Sequence, residues 1–316
     1  MMYATLWYGF VRIICPHPAE PPVGNSKDGI VTPVQIALWV IAIALYVAQS
    51  AAAAFPFLRP ARPAEGRLPY LALGALAFHA GFLIARAVQV HGLPIETRLD
   101  SVALFLWLTA AVFVAAEGPL RLSGIAVVFW PLFALCAIGM GILSGRAPMD
   151  RPTLGKTWLL LHLIPVYVGY AGFAVATGAA VTRLIQQRLL RGKRPEALWA
   201  RLPSLARLDQ IGRVAVACGF PLFTVGLAAG AIWAERDSGL LGRAWYSDAK
   251  VIAGFAGWLI YAAVVHMRLA GKMSASRAAI FTIAGFLVAL ATFGVAHAYP
   301  GRTPPFPAPP GISSKT

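Results

Sequence analysis

Four histidines of this 316-residue chain, His79, His162, His266 and His297, fall inside or at the edge of long apolar runs. An ionisable group in such a setting is a functional hypothesis by default, because removing it from water is unfavourable and plain packing seldom requires it. Neutral imidazole is a common axial ligand of haem iron, and two histidines on different helices at one depth can clamp a planar macrocycle between them. At about 1.5 Å of rise per residue, His162 lies roughly 9 Å inside Lys156 and His297 within about one turn of Pro300, so the two share a depth near one face. His266 lies roughly 9 Å from Lys272 and His79 roughly 18 Å from Arg67, which puts both in the opposite half of the membrane. Two pairs allow two metal sites, each holding haem b without a covalent bond. For any one of these residues alone, a hydrogen bond to a neighbouring helix is as good an account; four at paired depths favour the ligand role.

A second cluster follows at Trp233, Arg236, Asp237, Arg243, Trp245, Tyr246, Asp248 and Lys250. An aromatic shelf beside cations suits a porphyrin, whose face stacks on indole while its propionates pair with Arg or Lys. Taken alone, the stretch reads first as an interfacial aromatic belt. Other chemistries find less support. Cys15, Cys136 and Cys218 are far apart and form no ligand-spaced pair. No Cys-x-x-Cys-His occurs, so the chain is not itself a c-type cytochrome, and neither His-x-x-x-His nor Gly-x-Ser-x-Gly is present.

Such histidines need apolar helices to carry them, and the composition provides those. Hydrophobic residues make up 59% of the chain and charged ones only 12%, with a mean hydropathy of +0.70. Apolar runs bounded by charge, Gly and Pro predict membrane-spanning helices near 33–57, 68–90, 99–117, 123–144, 157–186, 210–234, 250–271 and 276–298. The expected fold is therefore all-α, a polytopic bundle of about eight transmembrane helices in the cell (inner or plasma) membrane. Residues 1–31 form an irregular Pro-rich leader, 32–299 one membrane domain, and 300–316 a Pro-rich extended tail. The net charge of +15 is concentrated between the apolar runs, where lipid headgroups rather than nucleic acid account for it. Arg59, Arg62 and Arg67 follow the first span, and Arg188, Arg191, Lys193, Arg194, Arg201 and Arg207 follow the fifth. Arg268, Lys272 and Arg277 follow the seventh, so these three loops belong in the cytoplasm and both termini outside. Arg146, Arg151 and Lys156 stand on the other side and oppose this orientation mildly. The long basic loop includes Arg201-Leu-Pro-Ser-Leu205, read as a short amphipathic stretch on the inner leaflet.

Several blocks in order give the chain a resemblance to a known family. They are Phe78-His79-Ala-Gly-Phe-Leu-Ile-Ala-Arg86 with Gly92-Leu-Pro94 and Leu99-Asp-Ser-Val102, then Trp158-Leu-Leu-Leu-His162 with Tyr170. Arg201-Leu-Pro-Ser-Leu-Ala-Arg-Leu-Asp209 leads into Gly219-Phe-Pro-Leu222 and Gly230-Ala-Ile-Trp-Ala234. Trp258-Leu-Ile-Tyr-Ala262, His266-Met-Arg268 and His297-Ala-Tyr299 complete the set. With them the chain resembles the cytochrome c assembly family of haem-handling membrane proteins, which includes CcsA and the HemX-like proteins. The resemblance implies that His162 and His297 flank a Trp-rich outer loop and ligate haem on the outer face. It implies that His266 holds haem within the membrane, with His79 as its candidate partner. Trp233, Arg243, Trp245 and Asp248 belong to the implied haem shelf. Family members that deliver haem usually carry Trp-x-Trp-Asp-Pro-Lys-Glu, whereas this chain reads Trp245-Tyr-Ser-Asp248-Ala-Lys250-Val. One Trp, the Asp and the Lys remain, while Ser247, Ala249 and Val251 replace the second Trp, the Pro and the Glu.

The resemblance implies a haem-binding protein of cytochrome c biogenesis, acting as part of a haem lyase with apocytochrome c as client and a second membrane subunit as partner. Two alternatives stand beside it. The altered loop suits a HemX-like accessory that binds haem or influences its synthesis without touching cytochrome c. A transporter or scaffold with purely helix-bridging histidines is the third.

Overall fold

Thr32-Pro-Val-Gln35 opens the first helix of the computed structural model with a reciprocal cap. The Gln35 backbone N–H donates to Thr32 Oγ1 at 3.3 Å, and the Thr32 N–H donates to Gln35 Oε1 at 2.8 Å. Pro33 suits the first helical position, where no backbone donor is needed. The structure describes residues 31–58, 70–95, 98–120, 122–143, 156–192, 202–236, 246, 249–270 and 273–298. The leader up to residue 30 and the tail from residue 299 lie outside the described residues.

Within them the chain forms eight helices and no strand. They are α1 (Pro33–Leu58), α2 (Tyr70–Gln89), α3 (Arg98–Leu120), α4 (Ser123–Leu143), α5 (Lys156–Arg191), α6 (Leu205–Arg236), α7 (Ala249–Leu269) and α8 (Ala275–Ala298). Six of them, α1, α2, α3, α5, α6 and α7, are long and apolar enough to cross a bilayer. The other two carry shorter apolar stretches, Gly124–Gly139 and Ala275–Ala291, within helices of 21 and 24 residues. The chain is thus a multi-pass helical membrane protein. Its outer surface agrees: Val40, Ile84, Leu135, Val225 and Leu259 are large, apolar and exposed, a pattern that lipid accommodates and water does not.

Most helix ends fall within a few residues of those expected from the sequence. The largest departures are at α5, which continues to Arg191, and α6, which begins at Leu205. Hydropathy falls where the chain leaves the bilayer, but helical hydrogen bonding continues until a cap stops it. Ser204 provides one, its Oγ accepting the Arg207 N–H at 3.3 Å. The end of the expected amphipathic stretch is therefore the first turn of α6, and residues 193–201 lie outside the described residues.

Helix α5 is the hub, packing most extensively on α6 and also on α3, α4 and α8; α1 packs on α2 and α4, and α7 on α8 and α6. In lipid the drive for such packing is close backbone approach at small residues. A Cβ on Gly219 of α6 would lie 2.9 Å from the Gly169 carbonyl oxygen of α5, and one on Gly172 would lie 3.0 Å from that of Ala215. Aromatic stacks fill the wider gaps, with Phe113 on Phe129 at 3.7 Å and Phe173 on Tyr261 at 3.6 Å. Helices α5 and α8 run antiparallel: Arg183 near the end of α5 hydrogen-bonds Ser276 at the start of α8, while Ala174 shares a cavity wall with Leu290.

Candidate functional site

The α5–α6 contact ends in a notch that seats His162. Two glycines one turn apart on α6, Gly226 and Gly230, leave room for the imidazole: a Cβ on Gly230 would lie 2.6 Å from His162 Nδ1 and 2.7 Å from Cε1. His162 Nδ1 stands 2.7 Å from the Gly226 carbonyl oxygen. A carbonyl only accepts, so Nδ1 carries the proton, and the lone pair of the neutral ring resides on Nε2. Metal-bound histidines are commonly oriented this way, through a backbone carbonyl on the other ring nitrogen. The residue is half-buried. This donor arrangement fits an axial ligand of haem.

Helix α8 brings His297 to the same end of the bundle. Arg183 Nη1 donates to Ser276 Oγ at 3.1 Å; His162 lies 21 residues before that contact on α5, and His297 lies 21 residues after it on α8. With the helices antiparallel, both positions stand about 31 Å from the contact along their axes. The α8 backbone is described as far as Ala298, and the His297 side chain falls outside the description. Trp233 lies on α6 itself, half-buried, one turn beyond Gly230 and so about 4.5 Å further along the axis than the His162 notch. Arg243, Trp245 and Asp248 lie outside the described residues, while Tyr246 between them is exposed.

The two remaining histidines are placed differently. His79 of α2 is fully buried, its Nδ1 3.3 Å from the Tyr46 hydroxyl and its ring edge-on to Trp39 at 4.8 Å. The ring also approaches the Ala103 backbone, although Nε2 completes no hydrogen bond of full geometry. In this packing His79 joins α2 to α1, and a macrocycle finds no room beside it. His266 is exposed near the end of α7. Among the described residues no extensive interface joins α2 to α7, so the structure does not bring His79 and His266 together.

One polar cluster went unremarked in the sequence. Arg86 and Asp100 are both fully buried and bind in a fork, Nε to Oδ1 at 2.7 Å and Nη2 to Oδ2 at 2.8 Å. Arg86 Nη1 also donates to Gln89 Oε1 at 2.9 Å, and Gln35 Nε2 donates to the same oxygen at 2.8 Å. The network pins the ends of α1, α2 and α3 that lie on the His162 side. A signal existed: Arg86 stands seven residues after His79, on the same helix face, within an otherwise apolar span. The Gly226 and Gly230 pair, four apart on α6, was likewise available as a small-residue pattern.

Comparison with known proteins agrees with this architecture. The family described as "Cytochrome C assembly protein" matches residues 97–300. A protein named "Cytochrome c biogenesis protein CcsA" from Microcystis aeruginosa is 27% identical over 288 residues, covering 75% of this chain and 85% of the relative. Like-named proteins from Thermosynechococcus vestitus (27% over 245 residues, 65% of this chain and 76% of the relative) and Guillardia theta (25% over 223 residues, 64% and 73%) are also similar. The match begins at the Arg98 end of α3 and runs through the α5–α6 notch to the end of α8, so the chain belongs to the cytochrome c assembly protein family.

Proposed function

We propose that the protein takes part in cytochrome c biogenesis by holding haem at the outer end of the α5–α8 half and presenting it for attachment to apocytochrome c. The observation that carries this reading is the His162 hydrogen bond to the Gly226 carbonyl, which directs the Nε2 lone pair away from α6 as a ligand requires. His297 is the second imidazole, at a matching level on α8. His162 orients, its tautomer held by the backbone, while Trp233 offers an apolar face one turn above it. Trp245, Arg243 and Asp248 would complete the shelf, the arginine pairing with a propionate. Haem supplies the vinyl groups to which a client's thiols add; the protein's part is to fix its position and exclude other iron ligands. His266 serves a second position nearer the inner face, and in that reading its partner comes from elsewhere than α2. A second membrane subunit is the expected source of client-binding surface.

An absorption spectrum of the detergent-purified protein, oxidised and reduced, tests this directly. The expected result is a Soret band with sharp reduced α and β bands, diminished in a His162→Ala, His297→Ala variant. Protein that stays colourless and takes up no added haem overturns the proposal. Deleting the gene should lower covalently attached haem on c-type cytochromes. The altered stretch Ser247, Ala249 and Val251 favours one further reading, a HemX-like accessory, whose mark is haem-bearing protein with normal cytochrome c in the deletion strain.

A further inference from the structure

At the opposite end of the same four helices, two arginines bind one carboxylate and a third stands beside them. Asp209 of α6 accepts from Arg213 through Oδ2 and from Arg268 of α7 through Oδ1, the latter at 3.2 Å. Arg183 of α5 and Arg213 both act electrostatically on Arg268. Arg183 also donates to Gln187 and Ser276, both neutral, so among the described residues it brings charge without a counter-charge. Guanidinium stays protonated in any protein setting, so three arginines against one aspartate leave two positive charges among these groups. Arg268 is 14% exposed and Asp209 15%, so this ion pair is largely out of water, while Arg213 is 54% exposed at its edge. Moreover, Nε of Arg183 and Nε of Arg268 are each buried without a hydrogen-bond partner among the described residues. Donors of this strength left unmatched are unfavourable unless an anion meets them.

We propose that the inner ends of α5, α6, α7 and α8 bind the phosphate of an anionic phospholipid. Arg268 lies in the last turn of α7 and Asp209 in the second turn of α6, so the cluster stands at headgroup level on the face that the basic loops assign to the cytoplasm. Directly toward the membrane centre, α6 exposes Val214 and Cys218 and α7 exposes Met267 and Leu259, surfaces that acyl chains cover. A phosphate above exposed apolar side chains is the layout of a lipid, and basic pockets between transmembrane helices on the cytoplasmic side bind such headgroups. The site is independent of haem and stands whether or not the outer histidines ligate.

Native mass spectrometry of the delipidated full-length protein, titrated with phosphatidylglycerol, phosphatidylcholine or inorganic phosphate, tests it. Phosphatidylglycerol should be retained in preference to phosphatidylcholine, and each arginine replaced should weaken retention about fivefold. In an Arg183→Gln, Arg268→Gln variant the preference should vanish, while Lys156→Gln at the far end of α5 should leave that preference unchanged. If the double variant does not fold, Arg213→Gln, altering a half-exposed side chain, should still show the single step. Equal retention of the two lipids by the natural protein, or undiminished retention by the variants, overturns the proposal. Saturation by inorganic phosphate that abolishes the lipid preference overturns it in favour of a free-anion site.

Discussion

The position of the His162 imidazole depends on what α6 lacks beside it. A methyl at position 230 would come within 2.6 Å of Nδ1, closer than any real contact, and the neighbouring group is a ring rather than a flexible chain end. Gly230→Val should therefore push the imidazole off the Gly226 carbonyl while leaving the ligand itself in place. The expected result is a folded protein with weakened haem uptake and shifted absorption bands, approaching the His162→Ala spectrum. Unchanged bands would mean that the notch does not set the ring. The Arg86–Asp100 pair makes a contrasting case, since neither group is exposed and each depends on the other. Asp100→Leu or Arg86→Met alone should destabilise by roughly 3–5 kcal/mol, because a buried charge loses the opposite charge it is paired with. The double replacement should cost much less, and thermal denaturation in detergent of the four proteins of the cycle measures the coupling.

Helix existence was legible because it rests on apolar run length, a property each segment carries by itself. Helix ends at α5 and α6 were less so, since residues such as Arg188 and Arg191 lower hydropathy without ending a helix. Pairing was the least legible layer. Counting from charged flanks set His162 beside His297, and the helices that carry them are in contact. The same counting set His79 beside His266, yet depth says nothing about which helices touch, and α2 packs on α1 and α3 instead. Neighbour choice is decided by surface shape, visible here in the glycines of α5 and α6. Gly219→Val tests that claim, because a side chain there meets the Gly169 carbonyl of the facing backbone. The two axes would have to separate, and overpacking of this kind typically destabilises by about 1–3 kcal/mol. A lower melting temperature with haem loss is expected, since the His162 notch belongs to the same interface. Gly139→Ala on α4, where a Cβ meets nothing within 4 Å, should be neutral by comparison.

The bundle keeps its two kinds of charge chemistry at opposite ends, and the proposed roles depend on which end faces outward. His162, His297, Trp233 and the Arg86–Asp100 network share one end; Asp209, Arg183, Arg213 and Arg268 share the other. Six basic residues from the last turn of α5 to the first turn of α6, Arg188, Arg191, Lys193, Arg194, Arg201 and Arg207, outweigh Arg146, Arg151 and Lys156 at the histidine end. On that balance the proposed haem end faces outward, where the proposal has apocytochrome c met, and the arginine cluster faces the inner leaflet. The same orientation is required for both proposals, although they rest on different residues. After Cys15, Cys136 and Cys218 are replaced by serine or alanine, single cysteines at His91 and Gly192 report it. His91 is exposed beyond the end of α2 and Gly192 just past the end of α5. His91→Cys should react with a membrane-impermeant maleimide in intact cells, and Gly192→Cys only once the membrane is opened. The reverse pattern would turn the His162 notch inward, and haem held there would be presented to the wrong compartment.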